Sequence, residues 1–161
     1  MDTYSSVKER KKTMNVFEQE RKSWCGVACV KMILDCYGIR YSQRRIAREM
    51  GTTKENGTSH IQIRKYLYFL GIKTFEVRGL TYEKLLRVSK NNEENPLLIH
   101  WWDSRTLPAD GHYSLIICID KKGITLADPA TGEALHLTKD KFISVWKDGE
   151  NDNPSGWVMI C

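Results

Sequence analysis

The hydrophobic periodicity of this chain changes once, near its middle, and that change limits the folds open to it. Before the change apolar residues recur at three- and four-residue steps, the period of a helix with one buried face. Ala28, Cys29, Met32, Ile33 and Cys36 follow Cys25 in this way, and Gly38 supplies a stop. Ser42 can cap a second helix whose Ile46, Ala47 and Met50 point inward and which Gly51 ends. A polar loop over 52–57 separates it from a third helix, capped by Ser59, carrying Ile63, Leu67 and Leu70 and stopped by Gly71.

After the change the apolar runs are short and strand-like. Residues 72–77 read as a strand, 82–89 as a helix and 96–102 as a strand. The long apolar run 112–120 turns at Lys121-Lys122-Gly123 and returns antiparallel over 124–127. Asp128-Pro129-Ala130-Thr131-Gly132 is a second turn, 134–137 another strand, and Thr138 caps a short helix carrying Phe142 and Trp146. Residues 157–161 are expected to close the sheet. Helices first and an antiparallel sheet afterwards predict an α+β domain, the N-terminal helices packed on a C-terminal sheet. At 161 residues the chain is expected to hold a single domain over 16–161, preceded by a loosely held polar arm over 1–15.

Composition removes several classes of function. Hydrophobic residues make up 41% and charged residues 28%, and no run of 18 apolar residues exists, so no membrane span is expected. The first twelve residues lack the apolar stretch of a secretory signal, which predicts a cytoplasmic protein. Five cysteines, an odd number, do not suit a disulfide framework in a chain of this length, and Cys29 and Cys36 read as core. Neither cysteines nor the four histidines show zinc-ligand spacing, so no metal and no cofactor is expected. The net charge of +5 comes partly from 8–12 and 40–48, which read as solvated faces rather than contacts to nucleic acid.

The chemistry is expected at Cys25. In the first turn of a helix, unpaired amides and the positive dipole end favour a thiolate, the nucleophilic form. Such a nucleophile needs a base, a group to orient the base, and donors for the oxyanion formed at an attacked carbonyl. His112 follows a glycine on a strand; Asp128 ends the paired strand at a proline turn, where a hairpin can bring it beside His112; Gln19 precedes Cys25 by six residues and can offer an amide N–H. His100 reads as a strand residue, with His60 and His136 outside the site.

Gln19 six residues before Cys25, the Cys25-Gly26-Val27-Ala28-Cys29 helix start, the Gly111-His112-Tyr113 strand and the Asp128-Pro129-Ala130-Thr131-Gly132 turn together resemble cysteine peptidase family 39, the bacteriocin-processing peptidases. The resemblance spans roughly residues 17–146 and implies a papain-like fold, with Cys25 as nucleophile, His112 as base, Asp128 as orienting residue and Gln19 as oxyanion donor. It implies a peptide or protein substrate cut after a double-glycine leader, and a separate ABC exporter as partner. Trp24, Trp101, Trp102 and Tyr113 are the aromatic residues available as walls of a narrow channel to the thiol; of Trp101 and Trp102, neighbours on a strand, one is core and the other lines the cleft. The sequence departs from the family where Trp24 stands in place of the common aspartate. Family members that are parts of exporters continue into membrane helices and an ATP-binding domain, so the chain is read as a free-standing relative or an excised domain. The same groups would serve a protein deamidase or isopeptidase. A non-catalytic substrate-binding module is the further alternative, against which the retained cysteine argues.

Overall fold

The structure is a computed structural model that describes residue 11 and residues 13–105, 110–147 and 156–161. Helices α1 (Cys25–Cys36), α2 (Gln43–Met50) and α3 (His60–Phe69) come first. Strand β1 (Phe75–Val77) and helix α4 (Tyr82–Asn91) lead to β2 (Leu97–Asp103), β3 (Asp110–Ile119), β4 (Gly123–Asp128) and β5 (Glu133–Thr138). Helix α5 (Lys139–Val145) and strand β6 (Val158–Ile160) follow. The strands form one antiparallel sheet in the order β1-β6-β2-β3-β4-β5.

Local chemistry sets most of the helix starts. The side chains of Ser42, Ser59, Thr81 and Thr138 each accept the backbone N–H three residues on, and Gln62 answers Ser59 to complete a capping box. Each cap satisfies an amide that the helix itself leaves unpaired, for about 1 kcal/mol.

Helix α1 departs from the one-faced pattern expected of it. Gly26 to Val30, Met32 to Leu34 and Cys36 are all buried, because the sheet covers one side while α2 and Met14, Val16 and Phe17 cover others. It runs through the interior, and its first core joins Val27, Ile33, Ile63, Leu98, Leu115 and Trp157. On the opposite face of the sheet, Tyr82 and Leu85 of α4 and Phe142 and Val145 of α5 pack on Ile99, Trp101 and Leu126. At roughly 1.5–3 kcal/mol for each large apolar side chain removed from water, these two cores hold the helices to the sheet.

Two sequence expectations need correction. The C-terminal strand does not close the sheet: β6 lies inside it, between β1 and β2, with Val158 in one core and Met159 in the other, and a strand apolar on both faces belongs in the interior. Of the expected loose arm, residues 1–10 and 12 lie outside the described residues. Its described end is docked, with Lys11 Nζ donating to the carbonyl of Asn95 at 2.6 Å and Met14 packed on the first core.

Candidate active site

Cys25 is the first residue of α1 and is half-buried. Trp24 occupies the cap position ahead of it with no side-chain cap bond, and the Arg21 guanidinium lies 5.1 Å from the centre of its ring. The glycine after the cysteine is needed for close approach. A Cβ at Gly26 would stand 3.1 Å from Thr58 Cβ and 3.3 Å from the Tyr113 ring, so only a bare backbone lets the 52–58 loop and β3 close on the helix start.

The β3–β4 hairpin carries the other two groups. Leu115 pairs with Ala127, so Asp128 falls beside Ser114 and His112 lies two residues farther along the same face. Such a diagonal neighbour is within reach of an imidazole. His112 Nε2 bonds Asp128 Oδ1 at 2.7 Å, which leaves Nδ1 as the ring nitrogen available to Cys25, the thiol that borders the same cleft. His112 is 7% exposed and Asp128 0%, so little water competes for either bond. Burial acts to lower the His112 pKa, but the Asp128 hydrogen bond and Cys25 overcome it and raise the value to about 9. Burial likewise acts to raise Asp128, and its bonds to His112 and to the Ala130 N–H hold it below the usual carboxylate range.

Gln19 is positioned from both sides. Its backbone N–H donates to the Pro129 carbonyl at 2.8 Å, and the buried Gln43 brackets it, accepting from the Glu20 N–H at 3.0 Å and donating to the Glu18 carbonyl at 2.7 Å. The Gln19 Nε2 donates to the carbonyls of Arg21 (2.9 Å) and Lys22 (2.6 Å), while its Oε1 is buried with no hydrogen-bond partner. Its side chain therefore shapes the turn before Cys25.

Gln19, Cys25 and His112 line one cleft of about 1200 Å³, together with Trp24, Trp102 and Tyr113. Trp101 does not line it. It is buried in the second core with its Nε1 donating to Ser114 Oγ, and it stands edge-on behind the His112 ring at 5.4 Å. His100, expected only as a strand residue, also borders the cleft. Its ring lies over Gly111, where a Cβ would meet His100 Nε2 at 2.6 Å and oblige the ring to move. His60 hydrogen-bonds the Tyr113 hydroxyl through Nδ1 and stacks on Trp157 at 3.8 Å, supporting the cleft wall from behind. His136 lies on β5 against Thr125.

Sequence reasoning missed Gln43, Asp103 and Arg105. Arg105 Nη2 donates to Asp128 Oδ2 at 2.9 Å and to Asp103 Oδ2 at 2.8 Å, joining the two carboxylates. The only hint in the sequence is a pair of opposite charges, Asp103 at the end of a buried strand and Arg105 just beyond it. Among the described residues no cluster of three or more metal-ligating side chains occurs.

A six-stranded antiparallel sheet with a thiol-bearing central helix against it, and a thiol, imidazole and carboxylate gathered at the cleft, is the architecture of papain-like cysteine peptidases. The comparisons with known proteins narrow the class: residues 13–149 match the peptidase C39 family, and the chain belongs to it. It is 32% identical over 136 residues to the lactococcin-A transport/processing ATP-binding protein of Lactococcus lactis subsp. lactis, covering 84% of this chain and 18% of that protein. The chain thus spans less than a fifth of that curated relative. Two solved structures share the fold at 19% identity. One is the peptidase domain of Streptococcus ComA, a bi-functional ABC transporter of a quorum-sensing pathway (TM-score 0.70, 91% of this chain and 96% of that one). The other is a double glycine motif protease from an AMS/PCAT transporter, solved in complex with its leader peptide (TM-score 0.68, 91% and 89%). Among the described residues no helix is long and apolar enough to cross a membrane.

Proposed function

We propose that this chain is a cysteine peptidase that removes a double-glycine-type leader from a precursor peptide. The observation that carries the reading is the His112 imidazole, fixed by the buried Asp128 carboxylate at 2.7 Å and bordering the same cleft as Cys25. Cys25 passes its proton to His112 and attacks the carbonyl of the scissile bond. The first amides of α1, which have no acceptor within their own helix, receive the oxyanion. Gln19 joins them by turning one N–H from the 21–22 carbonyls into the cleft. His112 then protonates the leaving amine, and water, activated by the same imidazole, releases the acyl-enzyme.

Trp24, Trp102 and Tyr113 around the thiol favour small residues at the cut, which a Gly-Gly pair satisfies. Affinity then has to come from elsewhere on the substrate. A depression of about 540 Å³ between α2 and α3, lined by Met50, Tyr66 and Phe69, suits the apolar face of a leader helix. It adjoins the cleft, since Gln62 of α3 donates to the Met50 and Gly51 carbonyls and Thr52 borders the active site. The transporter relatives support an ABC exporter as the partner for which the precursor is processed.

A peptide series with one helical leader and varied residues at the cut tests the reading. Gly-Gly and Gly-Ala peptides should be cleaved after the pair and Leu-Leu should resist. Equal cleavage of all three, or indifference to the leader helix, would remove the double-glycine reading, and cleavage of none would return the deamidase or isopeptidase reading.

A further inference from the structure

We propose that Arg105 is a positioning residue for catalysis: by gripping Asp103 and Asp128 together it fixes the Asp128 carboxylate in the orientation that holds His112 toward Cys25. The inference rests on the peptidase reading above.

Every hydrogen bond of the arrangement limits another. Asp128 Oδ1 accepts from His112 Nε2 at 2.7 Å and from the Ala130 N–H at 3.1 Å, so one oxygen is committed to the imidazole and its own turn. Oδ2 accepts from Arg105 Nη2 at 2.9 Å. Asp128 is buried beneath a guanidinium that is itself 42% exposed, so loss of that donor would leave Oδ2 without its fixed partner, and the carboxylate would be free to rotate toward another donor. The guanidinium is itself fixed before it meets Asp128. Its Nε and Nη2 fork onto the two oxygens of Asp103 at 2.9 and 2.8 Å, the Arg105 backbone N–H donates to Asp103 Oδ1 at 2.9 Å, and the group lies 5.3 Å from the centre of the Trp101 ring. The same ring backs the imidazole, so Arg105 and His112 are braced by one side chain.

Charge explains why two carboxylates are present. A lone arginine on Asp128 would cancel much of the negative charge that stabilises a protonated His112. Asp103, 2% exposed, neutralises the guanidinium instead, leaving Asp128 for the imidazole. With His112 protonated, the two buried carboxylates, Asp103 and Asp128, are balanced by Arg105 and His112, and the Cys25 thiolate that gave up the proton is the remaining charge facing the imidazolium. Lysine would keep the charge but lose the planar fork that spans both carboxylates.

Arg105→Gln and Arg105→Lys test this through three measurements: kcat and KM on a leader peptide, the pH dependence of kcat, and the pH dependence of Cys25 alkylation by iodoacetamide, mapped by mass spectrometry. Both variants should lose kcat by about 10²-fold with KM little changed, the cost of a misplaced catalytic group. The alkaline limb of the kcat profile should move to lower pH, because a carboxylate that has swung away no longer holds the His112 proton, and Cys25 alkylation should set in at higher pH, because a weaker imidazolium stabilises the thiolate less. Should Arg105→Gln fail to fold, Arg105→Lys alone decides. An alkaline limb that moves to higher pH would mean that Arg105 only damps the Asp128 charge, and would overturn the proposal. So would wild-type kcat in either folded variant. Wild-type Cys25 alkylating no faster than the exposed Cys118 would remove the peptidase reading itself, and this inference with it.

Discussion

The backbone N–H of Gln19 donates to the carbonyl of Pro129 across 2.8 Å, lacing the segment before the nucleophile to the turn that carries Asp128. The contact is close because Gly132, at φ +70°, lets that turn fold against Glu18, where a Cβ would stand 3.0 Å from the Glu18 backbone N. The two ends of the proposed catalytic line are therefore one mechanical unit, though more than a hundred residues separate them in the chain.

Gln19→Ala removes both the proposed oxyanion donor and the two bonds that shape the 21–22 turn. A loss of kcat of about 10²-fold or more is expected. Steady-state kinetics on a Gly-Gly peptide checks it, and an unchanged kcat would leave Gln19 no part in the chemistry.

Cys25→Ala and His112→Ala should each reduce turnover to background while the fold persists, since neither opens a large cavity. The double variant should be no worse than either single one, because the pair acts as a unit. Rates of all three, measured with circular dichroism as a check on folding, decide this. A double variant much slower than both singles would separate the two residues.

Asparagine can orient an imidazole in papain-like enzymes. Here it meets donors on both sides. With its oxygen toward His112, the Asp128→Asn amide would point N–H groups at the Arg105 guanidinium, where the carboxylate now accepts at 2.9 Å. We expect kcat to fall by roughly 10²- to 10⁴-fold, and Asp128→Asn combined with Arg105→Gln to lose less than the product of the two single effects.

His112 holds its proton more tightly in the folded protein than its ordinary value of 6.5, up to about 9. Folding therefore gains from this proton fully below pH 6.5, and the gain fades as pH rises through 9. The melting temperature of wild type should fall across that window more steeply than that of His112→Ala. Parallel curves for the two proteins would show that His112 does not carry the dependence.

The sequence by itself determined the elements and the chemistry carried on them. Helix boundaries were legible because Ser42, Ser59 and Thr138 cap by local bonds and Gly51 ends its helix in the left-handed region, with no distant partner needed. Gln19, Cys25, His112 and Asp128 could be named as candidates because their motifs resemble those of the family, and the fold brings Gln19, Cys25 and His112 to one cleft with Asp128 bonded behind the imidazole. Tertiary structure decided what depends on contacts between distant segments. The burial of α1 nearly all round follows from which elements cover it, which a single helix's periodicity does not encode. The interior place of β6 follows from pairing with β1, over eighty residues earlier. Trp101 and Trp102 are chemically alike and adjacent, and only the pleat of β2 sends one behind the imidazole and the other into the cleft. Arg105 was missed for the same reason: its charge beside Asp103 was visible, but its value lies in reaching Asp128 on another strand, and that long-range bond leaves no local pattern.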